Sequence, residues 1–201
     1  MVGNSGIMDS MNRNFGLSKA GGAGAGDGNT IIFAHVPDAV DINNPADVQL
    51  FLDDFAARYA VQDTEFAFVL TQNGDFYELH GNIGAIDPTI LEREILKGAI
   101  IIHNHPMLPE DVRGDSFSSF DFHFANEFQV GRQYLVSYDR RNSMEFTRQY
   151  DSEELVDSWL EAWNDSLGAL TSRNRKTFYR QYETLKILGK RLEGFEFYEN
   201  F

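Results

Sequence analysis

Three short stretches of this chain hold side chains suited to joint chemistry. His103-Asn104-His105-Pro106 closes the apolar run Ala99–Ile102. In an extended segment residues i and i+2 project to the same side, so the two imidazoles leave the sheet together. That is a chelating pair for a borderline metal such as zinc. The same spacing also suits two ordinary histidines at the mouth of a loop. Further on stands Ser118-Ser119-Phe120-Asp121. A catalytic zinc site takes three protein ligands and keeps one position open, and Asp121, on the first turn of a helix, offers the third. Ser-x-x-Asp also reads as the reciprocal pairing of a helix cap, and both readings hold if the cap fixes the aim of the carboxylate. The third stretch begins at Glu65, with Phe66 and Phe68 close behind it. A zinc hydrolase needs a carboxylate outside the ligand set to accept a proton. Neighbouring rings that keep water away make a carboxylate more basic. Taken alone, Glu65 reads better as a solvent-facing acid at a strand end.

Other candidates are weaker. Glu78, on the strand expected to return from Glu65, is the second choice of base. Asp115 is a rival third ligand, but it sits in a Gly-Asp loop with no helix to aim it. His123 is two positions past Asp121 and so lies elsewhere around a helix. His35 and His80 have no partner in the sequence.

The elements that must position these groups follow from periodicity and turn chemistry. Ile31–His35 reads as a strand. Asn44-Pro45 opens a helix over 46–61, with Val48, Phe51, Leu52, Phe55 and Tyr59 on one face. Thr64–Thr71 and Asp75–His80 read as a hairpin around Gln72-Asn73-Gly74-Asp75, the Asn-Gly favouring a two-residue turn. Asp87-Pro88 starts a helix expected to reach Lys97 before Gly98. Ala99–His103 is a buried strand by composition. A polar loop covers 104–117, and a helix follows Ser118 with Phe120, Phe124 and Phe128 at i, i+4 and i+8. Gln133–Tyr138 and Ser143–Thr147 form a second hairpin. The last fifty residues read as helical. The acidic stretch 151–170 is followed by 173–191, which holds seven Lys/Arg against one Glu. The fold class expected is α+β, a mixed sheet flanked by helices. Its parts are a Gly-rich N-terminal arm (1–30), a catalytic domain (31–150) and a C-terminal helical extension (151–201).

Glu, hairpin, helix, strand ending in HxHP, SxxD on a helix, hairpin: this order resembles the JAMM/MPN (JAB-domain) metalloprotease family over roughly residues 46–148. The HNHP form is similar to RadC-like proteins and to JAB domains of phage and mobile elements. The resemblance implies a JAB/MPN-like central sheet and Zn²⁺ held by His103, His105 and Asp121. It implies Glu65 as general base and Ser118 as a donor to the oxyanion. The activity implied is hydrolysis of an amide or isopeptide bond on a protein or peptide substrate, in the peptidase branches the tail of ubiquitin or a ubiquitin-like protein. One departure is the loop between His105 and Asp121, fifteen residues here and longer than the family usually has. Loop closure entropy rises slowly with length, so the ligands can still converge.

Composition narrows the alternatives. With 17 basic and 31 acidic side chains the formal charge is −14. Such a field repels phosphate backbones and disfavours a nucleic-acid partner, whereas it suits a basic, extended protein tail. There is no cysteine, so any zinc is held by nitrogen and oxygen. No run of apolar residues is long enough to span a membrane and no apolar leader follows Met1, which reads as a cytoplasmic protein. Two other readings stay open: a phage or mobile-element binding and assembly module, and a DNA-associated RadC-like protein using the basic stretch 173–191. That stretch also reads as a helix lying against the acidic helix 151–170.

Overall fold

In the computed structural model, residues 30–35, 40–82, 86–106, 116–138, 140–170 and 177–199 are described. They form a mixed seven-stranded sheet with helices on both faces, the α+β class expected. The strands are β1 (Thr30–His35), β2 (Phe66–Leu70), β3 (Asp75–His80), β4 (Ile100–Asn104), β5 (Arg132–Val136), β6 (Arg141–Phe146) and β7 (Phe195–Glu199), in the spatial order β1-β3-β2-β4-β5-β6-β7. All neighbours are antiparallel except β4 and β5, which run parallel from Ile100↔Arg132 to Asn104↔Val136. The helices are α1 (Pro45–Tyr59), α2 (Arg93–Leu96), α3 (Ser119–Glu127), α4 (Ser152–Ser166) and α5 (Thr177–Arg191).

Strand parity sorts the core into two layers. Ile100 and Ile102 of β4, with Phe68 and Leu70 of β2, pack against Val48, Phe51, Leu52 and Phe55 of α1. The rings of Phe51, Phe55, Phe68 and Phe76 meet mostly edge-to-face or tilted, 4.8–5.9 Å apart, the arrangement that aromatic quadrupoles prefer. Residues one position along face the other way. Ala67, Val69, Ile101, Leu135 and Met144 join Phe122 of α3, Trp159 of α4, Leu185 and Leu188 of α5, and Phe195. A parallel neighbour requires a crossover connection, and α3 lies on that crossover from β4 to β5.

Several details depart from the sequence expectation. The β2–β3 loop has three residues, since Thr71 N–H bonds the Asp75 carbonyl and Gly74 N–H bonds the Thr71 carbonyl. Gly74 adopts φ +84°, the left-handed conformation that closes a three-residue hairpin. The helix expected from Asp87 to Lys97 is broken. Asp87 caps a single 3-10 turn, Pro88–Ile90, then Leu91 is extended at φ −88°, ψ 146°, and only Arg93–Leu96 is α-helical. Burial of Leu91 in the core outweighs helix propensity there. The C-terminus is also not all helix: β7 pairs with β6 from Asn142↔Glu199 to Phe146↔Phe195. The arm at residues 1–29 lies outside the described residues.

The basic helix α5 packs on α4. Arg180 lies 3.8 Å over the Trp163 ring and donates to the Trp163 carbonyl at 2.9 and 3.1 Å. Arg191 pairs with Asp165 at 2.7 Å, and Lys186 with Glu199 at 3.6 Å. Residues 173–176 lie outside the described residues. Among the described residues no helix is long and apolar enough to cross a membrane.

The ring of Phe195 sits 5.0 Å from Phe122 and 4.9 Å from Phe146, so the last strand closes the core beneath α3. Phe195→Ala and Leu185→Ala should each lower the unfolding free energy by about 2–5 kcal/mol. Phe120→Ala, at a site 57% exposed, should change it by less than about 0.5 kcal/mol. Urea melts of the three variants measure this, and a small loss at Phe195 would show that β7 is not part of the core.

Candidate metal centre

β4 carries His103 and ends one residue before His105. Its five residues are all buried, and His103 lies on the face away from α1, opposite Ala67 of β2. His103 is 4% exposed, and its ring lies 5.2 Å from the His105 ring and 5.7 Å from Phe117. Its Nε2 is buried without a hydrogen-bond partner and faces Asp121 Oδ1 at 3.7 Å. Buried polar atoms are rarely left unpaired, so an orphaned imidazole nitrogen aimed at a carboxylate marks a place for a ligand.

α3 delivers the carboxylate. Ser118 is its N-cap: the Oγ accepts from the Asp121 N–H at 3.2 Å, and Asp121 Oδ2 accepts from the Ser118 N–H at 2.7 Å. The Ser118 hydroxyl also donates to the same Oδ2 at 2.7 Å. One carboxylate oxygen is therefore held by the cap, and the other, Oδ1, is left pointing at His103. The two readings of Ser-x-x-Asp are one structure. The single Ser118 proton is committed to Asp121 here, so donation to an oxyanion would require it to turn away.

Donor atoms of His103, His105 and Asp121 all lie within 4.8 Å of one another. Ligands about 2.0–2.1 Å from a tetrahedral zinc stand roughly 3.3 Å apart, close to the His103–Asp121 separation. The donor set, two imidazoles and a carboxylate, suits zinc and related divalent ions. Among the described residues no other group of three such side chains comes together.

Glu65 immediately precedes β2 and is held by the residues that follow β3, its N–H donating to the Asn82 carbonyl at 2.9 Å and its carbonyl accepting from Gly81 at 2.8 Å. By parity it shares the face of Ala67 and Val69, and hence of His103. Burial first, and then the charge of Asp121, push its carboxyl up to about 8, against the opposing pull of the Ile86 N–H. His103 moves the other way. Burial pushes it down to about 4 despite the attraction of Asp121, which keeps the ring neutral and its lone pair available at pH 7.

Glu78 is elsewhere. It pairs with Phe68, so it faces α1, where it accepts from Tyr59 Oη at 3.0 Å and meets His80 Nε2 at 2.6 Å. His123 packs between Phe122 and Trp159, outside the cluster. Asp115 and residues 107–114 lie outside the described residues. Sequence reasoning passed over Asn104. Its side chain is fully buried and bridges to the backbone on both sides of Glu65. An amide in an otherwise apolar strand was the available signal, since a buried amide must find partners.

Compared with family models, curated proteins and solved structures, the chain has no match.

Opposite shifts at Glu65 and His103 make the metal-free fold sensitive to pH from both sides. Glu65 titrates higher when folded than when unfolded, so stability falls as pH rises from about 4.5 towards 8. His103 titrates lower when folded, so stability falls as pH drops from about 6.5 towards 4. Glu65→Gln should abolish the alkaline loss and exceed the wild type by roughly 2–4 kcal/mol at pH 8.5. Melts of the metal-free proteins at pH 5.5 and 8.5 test it. Parallel pH trends in the two proteins would contradict a buried, charge-crowded Glu65.

Proposed function

We propose that this protein is a metal-dependent hydrolase of amide or isopeptide bonds, of the JAMM/MPN kind, acting in the cytoplasm. His103, His105 and Asp121 hold a zinc ion and Glu65 is the general base. The observation that carries this reading is the placement of a buried, unusually basic carboxylate on the same sheet face as three convergent ligands that it does not join. A bound divalent ion supplies Lewis acidity, acidifying water and polarising a carbonyl.

The chain's own groups do the remainder. Glu65 accepts a proton from the attacking water on its carboxylate and returns it to the departing amine. Burial, the larger cause of its raised proton affinity, suits a group that must both take and give a proton. His103 enters as a neutral ligand because burial keeps it unprotonated. Ser118 keeps Asp121 Oδ1 turned towards the histidines, and its hydroxyl is the candidate donor to a developing oxyanion once it turns from Oδ2. The charge of −14 favours a basic, extended protein or peptide tail over a nucleic acid. Tails of ubiquitin-like proteins are the substrate class proposed.

The purified protein should bind close to one zinc per chain, and His103→Ala with His105→Ala should abolish it. Glu65→Gln should keep the zinc and lose about 10²–10⁴ in turnover on a panel of peptide and ubiquitin-like fusions with basic tails. Inductively coupled plasma analysis and cleavage assays read the two arms. Full zinc occupancy in the double variant rejects the ligand set, and turnover that survives Glu65→Gln rejects the base.

A further inference from the structure

The main-chain register between β2 and β4 runs from Leu70↔Ile100 to Ala67↔His103. One more step would set Phe66 against Asn104, and a second would set Glu65 against His105. At the first of these steps a side chain takes over. The Phe66 N–H donates to Asn104 Oδ1 at 2.6 Å, and Asn104 Nδ2 donates to the Thr64 carbonyl at 3.0 Å. Continued further, the register would place Thr64 opposite residue 106, which is proline and has no N–H to give. The amide of Asn104 supplies the donor that Pro106 lacks and an acceptor for Phe66.

We propose that Asn104 is a positioning residue: its side-chain clamp on Thr64 and Phe66 sets where Glu65 stands relative to His103, His105 and Asp121. The two hydrogen bonds bracket Glu65, one on the residue before it and one on the residue after it. Both originate from the residue between the two histidines. Movement of the Glu65 backbone away from the ligands therefore has to break at least one bond at a fully buried amide. From the other side Asn82 and Gly81, just past β3, hold Glu65 through its own N–H and carbonyl, so the residue is tied from both sides. Alternation along β4 lets one tripeptide do two jobs, with imidazoles on one face and the clamp on the other. The purpose assigned to the clamp rests on the metal-hydrolase reading, but the clamp itself does not.

The test uses the full chain with cobalt(II) as probe, in wild type, Asn104→Leu and Asn104→Asp. Asn104→Leu keeps the branched shape of the side chain and removes both bonds. Asn104→Asp keeps an acceptor for Phe66 and loses the donor to Thr64. In the metal-free proteins the Phe66 amide should exchange with solvent at least about tenfold faster in Asn104→Leu than in wild type, because its one acceptor is gone. In the cobalt-loaded proteins the affinity should stay within about tenfold of wild type. The paramagnetic shifts of the Glu65 and Phe66 amides should change, and those of Asp121 and Phe122 should hold. On any peptide that the wild type cleaves, kcat should fall roughly 10–100-fold with KM little altered. If Asn104→Leu does not fold, Asn104→Asp carries the comparison through changed Glu65 shifts. A merely structural amide would lower the melting temperature of the variants and leave the Glu65 shifts in place, and that result overturns the proposal. Failure of the wild type to bind cobalt rejects the metal reading instead, and the Phe66 exchange rates then judge the clamp alone.

Discussion

Parallel pairing of β4 with β5, from Ile100 beside Arg132 to Asn104 beside Val136, is the constraint from which the site follows. Two parallel neighbours cannot be joined by a tight turn, so the chain must leave at the carboxyl end of β4 and cross back over one face before β5 begins. α3 lies on that return path, packed by Phe122 on the same face as Ile101. Its N-terminal turn comes to the end of β4 that carries His103. A helix start is where a carboxylate is favoured, both by the unpaired N–H groups and by the helix dipole. Asp121 meets these conditions through the reciprocal cap with Ser118, and the oxygen left over faces the imidazole. Every other neighbour in the sheet is antiparallel and imposes no such crossover.

The resulting cluster is not at rest electrostatically. The nitrogen of His103 is buried without a partner. Asp121 lies close enough to Glu65 for its charge to hinder ionisation of the Glu65 carboxyl. Water-poor surroundings magnify both effects. A cation among the three donors would satisfy the nitrogen and offset the charge that crowds Glu65. Binding sites often carry such strain, and the rest of the fold must supply the stability. Here it comes from the two aromatic clusters that sandwich the sheet, one built on Phe55 and Phe68 under α1, the other on Phe122, Trp159 and Phe195.

The C-terminal helices belong to the second cluster. Leu155, Trp159, Ala162, Leu185 and Leu188 are buried with the residues behind the site, so α4 and α5 support α3 from outside. Three basic side chains of α5 meet partners within the chain. Arg180 stacks on Trp163, Lys186 approaches Glu199 and Arg191 approaches Asp165. The acids that α5 engages sit at the end of α4 and on β7, rather than along the first turns of α4.

What the sequence by itself determined is whatever depends on local periodicity. The i, i+2 spacing of His103 and His105, the Ser118–Asp121 cap and the strand around Phe66–Leu70 could all be read from neighbours a few residues apart. Even the choice between Glu65 and Glu78 was latent there, since alternation along the hairpin puts them on opposite faces once the register is known. The register itself depends on the three-residue turn closed by Gly74, where the Asn-Gly pair suggested two. The tertiary structure alone decided the rest. β7 is a strand because β6 offers it an edge, and Leu91 interrupts a helix because the core takes its side chain. Asn104 finds its partners near residue 65, some forty positions away in the chain. Whether the buried amide of Asn104 clamps, or the free oxygen of Asp121 reaches His103, depends on contacts between segments remote in sequence. No local propensity encodes those contacts, because they exist only after the strands and α3 have packed.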